Sequence, residues 1–120
     1  MNTHSEVIEL HRNAWSDYSK YTEYLEKAIS LCEVEYEAGE RSLLFINNYA
    51  ALLLDLHRDA EALRLLKDQT PEFSEYCSNY AIAIAKSGYD IEAIRKWNRA
   101  ASNYPKRENA IVAYMDWQAL

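Results

Sequence analysis

The residues able to do chemistry in this chain are few and scattered. Cys32 and Cys77 lie far apart, outside any metal-binding or redox spacing, and are read as buried thiols of a reducing compartment. His4, His11 and His57 have no partner at metal-ligand spacing, and no His-Glu-x-x-His is present. His11 falls on an apolar stripe and is read as a satisfied core histidine; His57 is read as turn chemistry. Gly39 and Gly88 are isolated, so Lys86-Ser87-Gly88 reads as a helix end rather than a phosphate loop. No metal, cofactor or catalytic residue is expected, and the protein reads as non-enzymatic. What remains is a run of carboxylates, Glu33, Glu35, Glu37 and Glu40. Glu33 and Glu37 are a like-charge pair one helical turn apart, which costs an isolated helix a few tenths of a kcal/mol. They also fall near a helix C-terminus, where the dipole disfavours anions. Acids retained against both effects fit a surface that meets a basic partner; a solvated face that maintains solubility is the alternative.

Charge is segregated. The formal charge of −6 resides entirely in residues 1–40, where nine acids face three bases, while residues 41–120 hold ten of each. An acidic field repels phosphate backbones and attracts basic proteins, so a protein partner is expected and nucleic acid is not. The ten tyrosines and three tryptophans accordingly read as core and interface rather than as base-stacking platforms. No secretory signal or membrane-length apolar run is seen, and a cytoplasmic location is expected.

The elements that must position these residues are helices. A chain of 120 residues with only two glycines and two prolines favours long helices over hairpins of strands. Val7, His11, Ala14, Tyr18, Tyr21, Leu25, Ala28 and Cys32 recur at spacings of four and three, with Ile8, Trp15, Ile29 and Tyr36 widening the stripe. Residues 5–38 are therefore read as one long, bent helix from a Ser5 cap to Gly39. Two helices broken near Ser16–Ser19 are the alternative, because Ser and Asp compete for backbone hydrogen bonds. Ser42 caps a run to Leu56 that is apolar almost all round, as a central buried helix is. Asp59 caps the next helix, and Thr70-Pro71 ends it. Further helices follow over Glu72–Ser87, from Asp90 to about Asn103, and from Lys106 to Trp117.

Two stretches are copies of one unit. Asn48-Tyr49-Ala50-Ala51-Leu52-Leu53 and Asp59-Ala60-Glu61-Ala62-Leu63-Arg64 recur, each offset by 31, as Asn79-Tyr80-Ala81-Ile82-Ala83-Ile84 and Asp90-Ile91-Glu92-Ala93-Ile94-Arg95. In the second copy Ala81, Ile84, Gly88, Ala93, Trp97, Ala100 and Pro105 take the small and large positions of a helix–turn–helix repeat. This pattern resembles the tetratricopeptide repeat family. The first copy matches at Ala50, Leu53, Ala62 and Leu66, departs at His57 where the family has glycine, and reaches Pro71 three residues early.

The resemblance implies an all-α fold of antiparallel helical hairpins stacked as a short α-solenoid of about six helices. The expected divisions are residues 5–38 as an N-terminal helix or hairpin, 42–68 and 72–103 as the repeats, and 106–118 as a capping helix. It further implies a concave groove lined by the first helix of each hairpin. Leu44, Asn47, Asn48, Ala51 and Leu54 would line it on one side and Glu75, Ser78, Asn79, Ile82 and Ala85 on the other, unless the N-terminal helix closes it. The cations with which some members clamp a terminal carboxylate are absent, and Glu75 has the wrong sign for that task.

Size, acidity and lack of catalytic residues lead to a small antagonist, such as an immunity protein that binds and neutralises a basic toxin. The expected contacts are Glu33, Glu35, Glu37, Glu40, Asn47, Asn48, Glu75, Asn79 and Ile82. A tetratricopeptide-type secretion chaperone holding an extended segment, or a homodimer packed through Tyr114, Met115 and Trp117, are the alternatives.

Overall fold

The computed structural model describes residues 3–67 and 78–86, and the fold over them is all-α. The helices are α1 (Thr3–Ser16), α2 (Tyr21–Glu37), α3 (Leu43–Asp55), α4 (Asp59–Lys67) and α5 (Ser78–Lys86), with a single 3-10 turn (Tyr18–Lys20) between α1 and α2. The expected capping helix 106–118, Glu75 and the second half of the second repeat lie outside the described residues.

The expectation of one long N-terminal helix is corrected: the chain breaks at Asp17. Ser16 Oγ donates to the Arg12 carbonyl at 3.0 Å, and Ser19 Oγ donates to Asp17 Oδ1 at 2.6 Å. Asp17 itself is extended, at φ −129° and ψ 87°. These short polar side chains supply the local hydrogen bonds that release the backbone from the helical ladder. The chain then reverses. The Trp15 ring meets Tyr21 at the turn, while His4 and Val7 line a cleft with Cys32 and Glu35 at the far end, so α1 and α2 form an antiparallel hairpin. α1 begins at Thr3, which places Ser5 inside its first turn rather than at its cap. Val7, His11 and Ala14 of α1, and Tyr21, Leu25, Ala28 and Cys32 of α2, are buried as the stripe requires. Tyr18 is not. The break turns it out of the stripe, and it is 74% exposed.

α3 is the central helix, with ten of its 13 residues buried. Ser42 caps it, its hydroxyl accepting from Phe45 N at 3.4 Å. α1, α2, α4 and α5 all pack against it. Two hydrogen bonds fix its register against α1: His4 with Asn48 and His11 with Asp55, both at a separation of 44 residues. Equal offsets seven residues apart, two helical turns, mean that the two helices run parallel. The same logic holds on the other side. Asn47 bonds Asn79 and Leu54 bonds Lys86, both at a separation of 32. Thus α1, α3 and α5 run in one direction, with α3 in the middle.

Helices α2 and α3 close in the same way. Gly39 N donates to Tyr36 O and Glu40 N to Glu35 O; His57 N donates to Leu54 O and Arg58 N to Leu53 O. Each is a paired closure that needs a left-handed residue at its corner. Gly39 supplies one at φ +105°, and His57 supplies the other at φ +61°. The left-handed region costs an L-residue roughly 1–2 kcal/mol, offset in part by the extra chain entropy a glycine loses on folding. His57→Gly is therefore expected to raise the unfolding free energy by about 0.5 kcal/mol, and His57→Val, branched at Cβ, to lower it by about 1 kcal/mol or more. Urea denaturation of the two variants checks this; equal midpoints for both would contradict it.

Candidate interaction surface

The asparagines expected at an open groove form a buried ladder instead. Asn79, 0% exposed, donates from Nδ2 to Asn47 Oδ1 at 2.8 Å and to the Asn47 carbonyl at 3.2 Å. Asn47 Nδ2 donates to Asn48 Oδ1 at 3.3 Å, and Asn48 Nδ2 to His4 Nε2 at 3.4 Å. Asn48, Ala51, Leu54 and Ile82 are buried, while Asn47 and Leu44 are half-buried. Asn48, Asn79 and Ile82, expected to meet a partner, lie in the interior of this fold. These residues are covered at the seams where α3 meets α1 on one side and α5 on the other, and the amides satisfy one another between the parallel helices.

Two turns further along, the ladder passes to a histidine and a carboxylate. The His11 Nε2–H donates to Asp55 Oδ2 at 3.1 Å, with the carboxylate fully buried. Tyr21 OH donates to the Asp55 carbonyl at 3.3 Å. Lys86 Nζ, mostly covered, reaches Asp59 Oδ1 at 3.2 Å and the Leu54 carbonyl at 3.5 Å, near the C-terminal end of α3 where a cation is favoured. His11 is thus the satisfied core histidine expected of it. Its partner Asp55 went unnoticed in the sequence, although a lone acid in an apolar helix was the signal.

The carboxylate run divides between two sides of α2. Glu35 and Glu40 line a cleft of about 200 Å³ with His4, Val7, Cys32, Ser42, Leu44, Phe45 and Asn48. Glu40 has a structural task there: its Oε1 accepts from Ser42 N at 2.8 Å at the start of α3, and that bond holds its carboxyl below the usual range. Glu33 and Glu37 are exposed and share the outer face of α2. Glu23 and Glu26 join them, at spacings of three, seven and four residues along the row, with Ser30 filling the gap. Lys27 is the cation on that face, and Val34, 66% exposed, lies beside it. In the sequence the dense run 33–40 masks Glu23 and Glu26, whose helical spacing with 30, 33 and 37 places them on the same face. The base that follows the run is turned away. The Arg41 guanidinium lies 3.4 Å over the Tyr36 ring and donates to the Tyr36 and Glu40 carbonyls at 2.6 and 2.8 Å.

Neighbouring groups are structural. Arg58 grips Glu61 through two bonds of 2.8 Å, which holds the Glu61 carboxyl down. Burial, reinforced by Glu33 and Glu35, pushes the Cys32 thiol from 9.0 up to about 12. Burial, then Glu33, pushes the Tyr49 phenol from 10.0 up to about 12. Both acids are neutral when buried, so between pH 9 and pH 12 the unfolded chain sheds protons that the folded one keeps. Stability is accordingly expected to be intact below pH 9 and to fall across that window. In the native state Cys32 should react with a thiol reagent at least a hundredfold more slowly than in urea. Cys32→Ala should blunt the first part of the alkaline loss; an unchanged profile would contradict the assignment.

Among the described residues no group of three or more His, Cys, Asp or Glu is placed to hold a metal ion, and no helix is long and apolar enough to cross a membrane. Comparison of the chain with family models, with curated proteins and with solved structures finds no match.

Proposed function

We propose that this is a non-enzymatic protein-binding module: a small acidic antagonist of the immunity-protein kind, which binds and neutralises a basic protein. The observation that carries this reading is the exposed row Glu23, Glu26, Glu33 and Glu37 along one face of α2, with Lys27 beside it and Arg58 near enough to feel the charge of Glu33. The row extends about 21 Å at 1.5 Å per residue, long enough to engage a basic helix or strand. It offers charge without deep burial, which steers encounter and selects partners of opposite sign. The scaffold is proposed to be a short tetratricopeptide-like solenoid, in which α1–α2 and α3–α4 are successive hairpins and α5 opens the next. The parallel run of α1, α3 and α5 supports it. In that arrangement the first hairpin is an irregular repeat, offset by 44 instead of 31, and a cytoplasmic partner is in keeping with a free thiol at Cys32.

The groove-based alternative, a secretion chaperone, calls for Asn47, Asn79 and Ile82 at the surface; Asn79 and Ile82 are buried and Asn47 is half-buried. The homodimer through Tyr114, Met115 and Trp117 rests on residues outside the described ones. The test is affinity capture with the full chain, from its native lysate and the products of neighbouring genes, followed by titration of the captured protein at low and high salt. One basic protein is expected, its affinity falling at least tenfold in salt and again in Glu33→Lys/Glu37→Lys. Capture of assorted extended segments, indifferent to salt and to the charge reversal, would overturn the reading.

A further inference from the structure

The acidic row accounts for steering but supplies no anchor, and the tip of the same hairpin has one. Trp15 is 42% exposed and Tyr18 is 74% exposed, large rings that reach solvent at the tip. They are held in place. Tyr18 lies parallel to Tyr21, with ring centroids 5.2 Å apart and 12° between planes, and Trp15 meets the same Tyr21 edge-on at 5.2 Å. Tyr21 in turn is buried and fastened by its hydroxyl to the Asp55 carbonyl. One π-face of Tyr18 is therefore covered and the other is offered to solvent, with its orientation already set before any partner arrives. Ordering of the ring has been met by folding, which lowers the cost of binding to it.

Resting on the acidic-face reading above, we infer that the exposed face of Tyr18, flanked by Trp15, is the docking platform for an arginine side chain of the basic partner. Two features favour arginine as the occupant. The hairpin that bears the platform holds eight acids against three bases, so its overall field draws a cationic partner even though the tip itself, with Asp17 against Arg12 and Lys20, is not acidic. The molecule also displays the same chemistry internally, where the Arg41 guanidinium lies 3.4 Å over the Tyr36 ring. A planar guanidinium stacks on a tyrosine face and keeps its in-plane donors free for neighbouring carboxylates, whereas an ammonium has only its charge to offer. Asp17, adjacent in sequence and held by Ser19, is the acid of the tip; Arg12 and Lys20 are its bases, so arginine preference here must come from the rings rather than from local charge.

The experiment titrates the isotope-labelled full chain with hexa-arginine and, separately, with hexa-lysine at low salt. Hexa-arginine is expected to bind about threefold to fivefold more tightly, with shifts concentrated on the Trp15 indole N–H and the Tyr18 amide. Tyr18→Ala, at a position too exposed to unsettle the fold, should bring the ratio to one, and Tyr18→Phe should retain it. Glutamine at Glu23, Glu26, Glu33 and Glu37 together should weaken both peptides alike and leave the ratio standing. Equal affinities for the two peptides, or a ratio untouched by Tyr18→Ala, would overturn the arginine platform while leaving the acidic-face reading in place. If neither peptide binds, both readings fall.

Discussion

Replacing Asp55 by alanine is expected to lower the unfolding free energy by about 3–5 kcal/mol, and His11→Ala by a comparable amount. Each removes one half of a pair whose carboxylate is fully buried and whose imidazole is nearly so. The survivor is then left in an apolar setting with its best partner gone, and that desolvation is the larger part of the cost. The effect reaches beyond the pair. His11 is one of two residues that register α1 against α3, and the Asp55 backbone receives the Tyr21 hydroxyl. A double-mutant cycle in urea makes the prediction sharp. His11→Leu/Asp55→Leu, which removes both polar groups and keeps volume, should recover most of the loss, because replacing both partners of a buried polar pair by apolar side chains is often nearly neutral. If the single variants are mild and simply additive, the pair is not the lock between α1 and α3.

The second large effect concerns both sides of α3. Leu52→Ala and Leu54→Ala are each expected to cost about 2–5 kcal/mol. The two residues are separated by 200° around the helix, so in an amphipathic surface helix only one of them would matter. Here both are fully buried, since α1, α2, α4 and α5 all pack against α3. Leu43→Ala at the exposed start of α3 is the control and should stay within about 1 kcal/mol of the parent. Chemical denaturation followed by helical circular dichroism measures all three. A small cost at either Leu52 or Leu54 would mean that α3 is not enclosed.

Much of the scaffold was legible because helix periodicity is local. The apolar stripe of α1 and α2, the Ser42 cap, the all-round burial of α3 and the closure at Gly39 follow from side-chain types at spacings of three and four. Even the site of the break was visible, as Ser16, Asp17 and Ser19 are residues that bond their own backbone. Whether they would prevail was not, since the outcome turns on what α1 gains by folding back onto α2 and α3. The same reversal moved Tyr18 from the core stripe to the surface.

The candidate site divided along similar lines. That the N-terminal third would be acidic, and that Glu33 and Glu37 would share a helix face, follows from composition and helical geometry alone. The separation of Glu35 and Glu40 from them, and the use of Glu40 to hold the start of α3, depended on how the chain leaves α2. The sequence determined by itself that this is a helical protein with a duplicated unit, a buried central helix and an acidic first third, because each of these rests on residue identity and short-range spacing. The tertiary structure alone decided that Asn48, Asn79 and Ile82 are interior, that His11 finds Asp55 at a separation of 44 residues, and that Trp15 and Tyr18 face solvent. Those outcomes depend on which helix lies beside which, a property of long-range packing that residue spacing does not encode.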